Sequence, residues 1–340
     1  MTRQAPCSTA FAANVKNSEE GTYMKRIISV LLCAAVLLAV FAGCGSKKSG
    51  SGKQLKIIAT IYPEYEWVKQ IVGDLDNVDV ELLLDKGVDL HSFQPTAKDI
   101  INISSSDVFI YTGGESDKWV DDVLKEAQNK DMKALNLIEA LGDMAKEEKA
   151  VEGMQAEKSE EEEDEKEIDE HIWLSVKNAS KLCKSIADVL GKKDPDNKDT
   201  YSKNADAYVA KLNELDGQYE QVCSSAKNDT LIFADRFPFR YMTDDYNLKY
   251  YAAFSGCSAE SEASFQTLVF LANKLDELKL NKLIIIDGSD KKIADAVIDT
   301  AKTKDAEVLT LNSMQSAVGE SDTYLSVMQS NLEVLKKALN

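Results

Sequence analysis

Short apolar runs alternate with helical stripes from residue 54 onward. Lys56-Ile57-Ile58-Ala59-Thr60 reads as a buried strand, and Tyr65–Val72 as a helix ended by Gly73. Val78-Asp79-Val80-Glu81-Leu82-Leu83-Leu84 alternates, then turns wholly apolar, and predicts a second strand. Lys98–Ser104 is the next helix; Thr96 with Asp99 three residues on opens it after Pro95. Asp107–Tyr111 and Lys133–Leu137 predict two more strands, with a helix over Trp119–Ala127 between them. Strand and helix in steps of about 25 residues imply a parallel sheet with helical crossovers.

The rhythm stops at Gly142–Glu170. That segment is poor in apolar residues, and ten acids crowd Glu157–Glu170. Such a run predicts a solvated loop, about 143–170, with a second capacity to concentrate cations nearby. Ala179–Leu190 then reads as an amphipathic helix. Lys198–Ser225 runs without proline, and Tyr201, Ala205, Tyr208, Leu212, Leu215, Tyr219 and Val222 recur at helical spacing. That is one long helix, with Gly217 its only weak point. Beyond it the α/β rhythm returns. Strands are expected at Leu231–Ala234, Lys249–Phe254, Leu283–Ile286 and Val308–Leu311, and helices at Ala263–Leu278, Lys292–Lys302 and Ser321–Leu339. The fold class expected is therefore α/β: two lobes, each a mostly parallel sheet flanked by helices, joined by one rigid helix. The divisions are 54–190 for the first lobe, 197–226 for the linker and 229–340 for the second.

The N-terminal stretch reads as targeting rather than fold. Met24-Lys25-Arg26 is a basic start, and Ile27–Ala42 is an apolar core, short for a membrane span but of signal-peptide length. Residues 1–23 precede that better start and carry no fold signal. Phe41-Ala42-Gly43-Cys44 resembles a bacterial lipobox, with Phe41 where leucine is usual. It implies a lipid anchor on Cys44 and an extracytoplasmic domain held at the cell membrane. Gly45–Lys53 is then a flexible tether.

A net charge of -18 argues against nucleic acid as a partner, since phosphate binding needs a basic face. It does not oppose a cationic ligand. The chain has two histidines, His91 and His171, both expected in loops just before helices and both flanked by acid. The Val78–Leu84 strand runs into His91, so that residue sits at the carboxyl edge of a parallel sheet, where ligands bind in such folds. Two histidines so placed point to metal ligation by neutral imidazole. Of six cysteines, Cys183, Cys223 and Cys257 fall in the folded part. They allow one disulfide and a free thiol, or three free thiols, and none has zinc-ribbon spacing.

Leu90-His91-Ser92-Phe93-Gln94-Pro95-Thr96, the acidic loop, Glu170-His171-Ile172-Trp173-Leu174, the long helix and the closing Tyr324–Leu332 resemble the zinc/manganese solute-binding lipoproteins of bacterial ABC importers. The likeness spans about residues 54–340. It implies one divalent metal ion held between the lobes, delivery to a membrane permease, a monomer and no enzymatic activity. It maps the first two ligands onto His91 and His171, and a third onto Asp235, where the family has His or Glu. Asp287 is the expected fourth, with Asn312, Cys257 or water as alternatives. Zinc is the expected ion, with manganese or iron as the alternative. An exported metallohydrolase, with Glu170 or Asp89 as base, and an adhesin with a structural metal stand as rival functions. No His-Glu-x-x-His, Gly-x-Ser-x-Gly or P-loop motif is present.

Overall fold

The computed structural model describes residues 54–84, 88–155, 167–258, 262–315, 319 and 321–340. The expected signal peptide, Cys44, the expected tether, the centre of the acidic loop and Asp85–Gly87 lie outside them. Among the described residues no helix is long and apolar enough to cross a membrane.

The first lobe carries β1 (Leu55–Ala59), α1 (Tyr62–Val72), β2 (Val78–Leu82), α2 (Ala97–Ser104), β3 (Val108–Tyr111), α3 (Val120–Lys125), β4 (Lys133–Asn136) and α4 (Leu137–Leu141). Its four strands are all parallel, in the order β2-β1-β3-β4. Thr96 and Asp99 form the expected capping box, each side chain bonding the other's backbone N–H. Two long helices follow: α5 (Val176–Lys193), capped by Ser175, and α6 (Lys198–Ser224). The second lobe holds β5 (Thr230–Phe237), α7 (Arg240–Asp245), β6 (Lys249–Ser255), α8 (Phe265–Glu277), β7 (Lys282–Ile286), α9 (Lys292–Thr300), β8 (Glu307–Leu311) and α10 (Tyr324–Ala338). Its parallel order is β6-β5-β7-β8.

Strand alternation sorts the side chains into three cores. Ile57, Val108 and Ile110 face the helical side of the first sheet, while Ile58, Phe109 and Tyr111 face α2 and α3. Phe233, Ile284 and Ile286 face inward on the second sheet, while Ile232, Leu283 and Ile285 cover α8 and α9. The two inward faces belong to one continuous core, which also takes Leu182, Ile186, Tyr201, Tyr208, Leu212, Tyr219 and Tyr324. Both lobes are thus packed on the same pair of helices. α6 spans 27 residues, about 40 Å at ~1.5 Å per residue. Gly217 sits inside it without a break. Burial of both sheet faces is the usual condition of parallel sheets and explains the near-continuous apolar strands.

Candidate metal centre

His91, Cys257 and Asp287 lie on loops that leave the carboxyl ends of strands, Asp235 lies within β5, and His171 stands just before α5. His91 stands in a short 3₁₀ turn, Leu90–Ser92, capped by Asp89, whose Oδ1 accepts the His91 backbone N–H at 3.0 Å. His171 precedes another turn, Ile172–Leu174, and is fully buried. Cys257 follows β6. The ligand atoms of His91, His171 and Cys257 lie within 4.8 Å of one another, and this is the group of potential metal donors among the described residues.

Outer partners orient both imidazoles. His171 Nδ1 lies 2.9 Å from Asp169 Oδ1, which also accepts the His171 backbone N–H. His91 Nδ1 lies 2.9 Å from Ser116 Oγ, which itself donates to Glu170 Oε2 at 2.6 Å. Ser116 Oγ therefore accepts from His91 Nδ1–H. Each ring has its Nδ1 proton taken by a carboxylate, directly or through a hydroxyl, so the Nε2 lone pairs are left for a ligand. Those two Nε2 atoms are 3.2 Å apart. Burial works against the Glu170 carboxylate, yet the hydrogen bonds from His91 and Ser116 outweigh it and hold its pKa below the usual range.

Cys257 is held from the far side of the cleft. Glu148, at the base of the acidic loop, accepts the backbone N–H groups of Gly256 and Cys257. Gly256 has no room for a side chain, since a Cβ there would stand 2.8 Å from His171 Cε1 and 2.9 Å from Phe237 O. The loop can pass this close to the imidazole because the residue is glycine. Burial, then the carboxylates of Glu148, Glu170 and Asp169, push the Cys257 thiol well above its ordinary range. The same anionic surroundings favour a divalent cation, which would take the thiolate and release its proton.

The structure brings together His91 and His171 as expected, but not Asp235 and Asp287. Asp235 sits where the register of β5 slips between Phe233 and Arg236. Its two oxygens accept Arg236 N at 2.8 Å and Ile286 N at 3.0 Å, so the carboxylate fills backbone pairing lost at the bulge. Asp287 Oδ1 accepts both the backbone N–H and the hydroxyl of Ser313, which ties the loops after β7 and β8 together. Asn312 turns back on its own loop, accepting Met314 N. Cys257, expected only as an alternative, is the potential donor that the structure groups with the two histidines. Its signal in the sequence was position: Cys183 and Cys223 stand in helices, whereas Gly256-Cys257 leaves a strand at the ligand edge. All three thiols are free. Gln315, 7 % exposed and within hydrogen-bond reach of both Nε2 atoms, was not a sequence candidate.

Two parallel-sheet lobes on a shared helical spine, with histidines from one side of the cleft facing a loop from the other, are the architecture of ZnuA-like solute-binding proteins. Residues 57–338 match the family described as zinc-uptake complex component A, periplasmic, and the chain belongs to that family. It is 35% identical over 326 residues to the zinc-binding lipoprotein AdcA of Streptococcus pneumoniae, covering 92% of this chain and 61% of that protein. The chain thus spans about three-fifths of that relative's length. It is 31% identical over 330 residues to the high-affinity zinc uptake system protein ZnuA of Bacillus subtilis, covering 93% and 98% of the two chains. The crystal structure of the Zn(II)-bound ZnuA-like domain of S. pneumoniae AdcA superposes with a TM-score of 0.66 at 31% identity, covering 84% of this chain and 99% of that one.

Proposed function

We propose that this protein captures a divalent zinc ion outside the cytoplasm, in the cleft between its lobes, and hands it to an ABC permease. It is a carrier and not an enzyme. The observation that carries this reading is the convergence of His91, His171 and Cys257 within 4.8 Å at the meeting of the two lobes. Two imidazoles and a thiolate suit zinc, and the sulfur disfavours manganese, which prefers oxygen donors. The zinc-uptake family and the zinc-binding relatives support the same ion. Residues 54–190 and 229–340 act as the two jaws and 197–226 as the spine between them. A lipid on Cys44 would keep a monomer at the membrane face, next to its permease. The test is metal analysis of the purified protein, then calorimetric titration of the stripped protein with zinc and with manganese. Tight zinc binding with far weaker manganese binding is expected; equal affinities, or none, would overturn the assignment.

A further inference from the structure

Gln315 occupies an unusual position. It stands on the loop after β8, just beyond Met314, which takes a left-handed backbone conformation at φ 56°. That loop is fastened from the first lobe by Trp173, whose indole N–H donates to Ser313 O at 2.8 Å. The Gln315 Nε2 lies 2.8 Å from His91 Nε2 and 2.9 Å from His171 Nε2. Both imidazole nitrogens carry lone pairs, because each ring spends its proton at Nδ1. The amide NH₂ therefore donates to both at once. Its other end is left without a partner: Gln315 Oε1 is buried and makes no hydrogen bond. A buried amide oxygen without a partner costs free energy and calls for an explanation.

Resting on the reading of this cleft as a zinc site, we propose that Gln315 is a two-position amide, a plug in the empty site and a ligand in the loaded one. In the empty site its NH₂ group caps the two Nε2 lone pairs. On loading, the cation takes those lone pairs, and the amide turns over about its terminal torsion, a soft and roughly two-fold rotation. Oε1 then faces the ion and completes a four-donor set with His91 Nε2, His171 Nε2 and Cys257 Sγ. Turning the amide breaks only hydrogen bonds and brings no charge of its own; the proton lost on loading is the one Cys257 gives up as its thiolate takes the ion. A neutral oxygen in the fourth place, where a carboxylate would bind harder, leaves an ion that can be released. The NH₂ group is at hand to re-cap the imidazoles as the ion departs.

The experiment compares the intact protein with Gln315→Leu, Gln315→Glu and His171→Ala. Zinc affinity is read by chelator competition, and coordination by the absorption spectrum of the cobalt(II)-loaded forms. Gln315→Leu should lose about a hundredfold in zinc affinity and shift the cobalt bands, because a donor is missing. Gln315→Glu should bind zinc at least as tightly as the parent, since it supplies an oxygen and cannot cap the empty site. Wild-type affinity in Gln315→Leu, or weakened affinity with an unchanged cobalt spectrum, would overturn the proposal, as would a Gln315→Glu variant as weak as the leucine one. His171→Ala separates the two levels. If it binds zinc as the parent does, the site itself is misplaced; if it does not while Gln315→Leu is unaffected, only the role of Gln315 fails.

Discussion

The Arg236 guanidinium lies 3.3 Å from the Asp89 carboxylate, joining the second lobe to the turn that carries His91. The other Asp89 oxygen holds the His91 backbone N–H, so one carboxylate both caps the turn and latches the cleft. The pair is part-exposed, and such pairs contribute only about 0–1 kcal/mol. Arg236→Gln should therefore lower zinc affinity a few-fold and mainly hasten release. Stopped-flow transfer of zinc to a chelator measures this, and the difference should shrink in high salt. An unchanged release rate at low salt would show that the latch is not part of the cleft's closure.

Replacing a donor should act on the ion and not on the fold. His91→Ala and His171→Ala should abolish tight zinc binding, with circular dichroism unchanged. Cys257→Ser should cost about a hundredfold in zinc affinity, narrow the preference for zinc over manganese and remove the thiolate-to-metal charge-transfer band of the cobalt form. A charge-transfer band that survives in the serine variant would place the sulfur elsewhere.

Asp235 should behave in the opposite way. Removing its carboxylate strands the N–H groups of Arg236 and Ile286, each of which costs about 1–3 kcal/mol when buried and unpaired. Asp235→Ala should melt several degrees lower than the parent while binding zinc almost as tightly. Thermal melts of the metal-free protein beside a zinc titration decide this. Loss of affinity at unchanged stability would restore Asp235 as a ligand.

Glu64 gives the stability a pH dependence of its own. It is wholly buried and accepts hydrogen bonds from the N–H groups of Thr60 and Ile61 and the hydroxyls of Thr60 and Thr112. Burial outweighs those bonds and pushes its pKa up to about 8. The folded state thus keeps a proton that the unfolded chain loses near the ordinary value of 4.5. Its contribution is fully present below that value and is lost as pH rises towards about 8. Glu64→Gln mimics the protonated form, so its melting temperature should fall less between pH 5 and 8 than the parent's. Parallel melting curves across that range would contradict the assignment.

Loading should leave the lobes nearly where they are. The inward faces of both sheets share one core around α5 and α6, and α6 has no proline or bulge to serve as a hinge. Small-angle scattering of the stripped and zinc-loaded protein should give almost the same radius of gyration. A marked compaction on loading would mean that the shared core parts in the empty state.

Much of this molecule is legible from the chain alone, because local rules govern it. Apolar periodicity located the eight strands and the long helix to within a few residues, and Thr96 with Asp99 marked a helix start that the structure reproduces. Two histidines beside acids at the ligand edge of a parallel sheet were enough to point to a metal. The other side chains that meet the histidines depend on contacts that no local rule reports. Asp235 is the expected third ligand, and no pattern in the chain signals the slip in strand register that sets two backbone N–H groups against its oxygens. Cys257 and Gln315 gained their positions only when loops from different strands met across the cleft. They are 166 and 224 positions from His91 along the chain. Spacing along a sequence carries no information at that range; a shared core that packs both sheets on one pair of helices decides which side chains face each other.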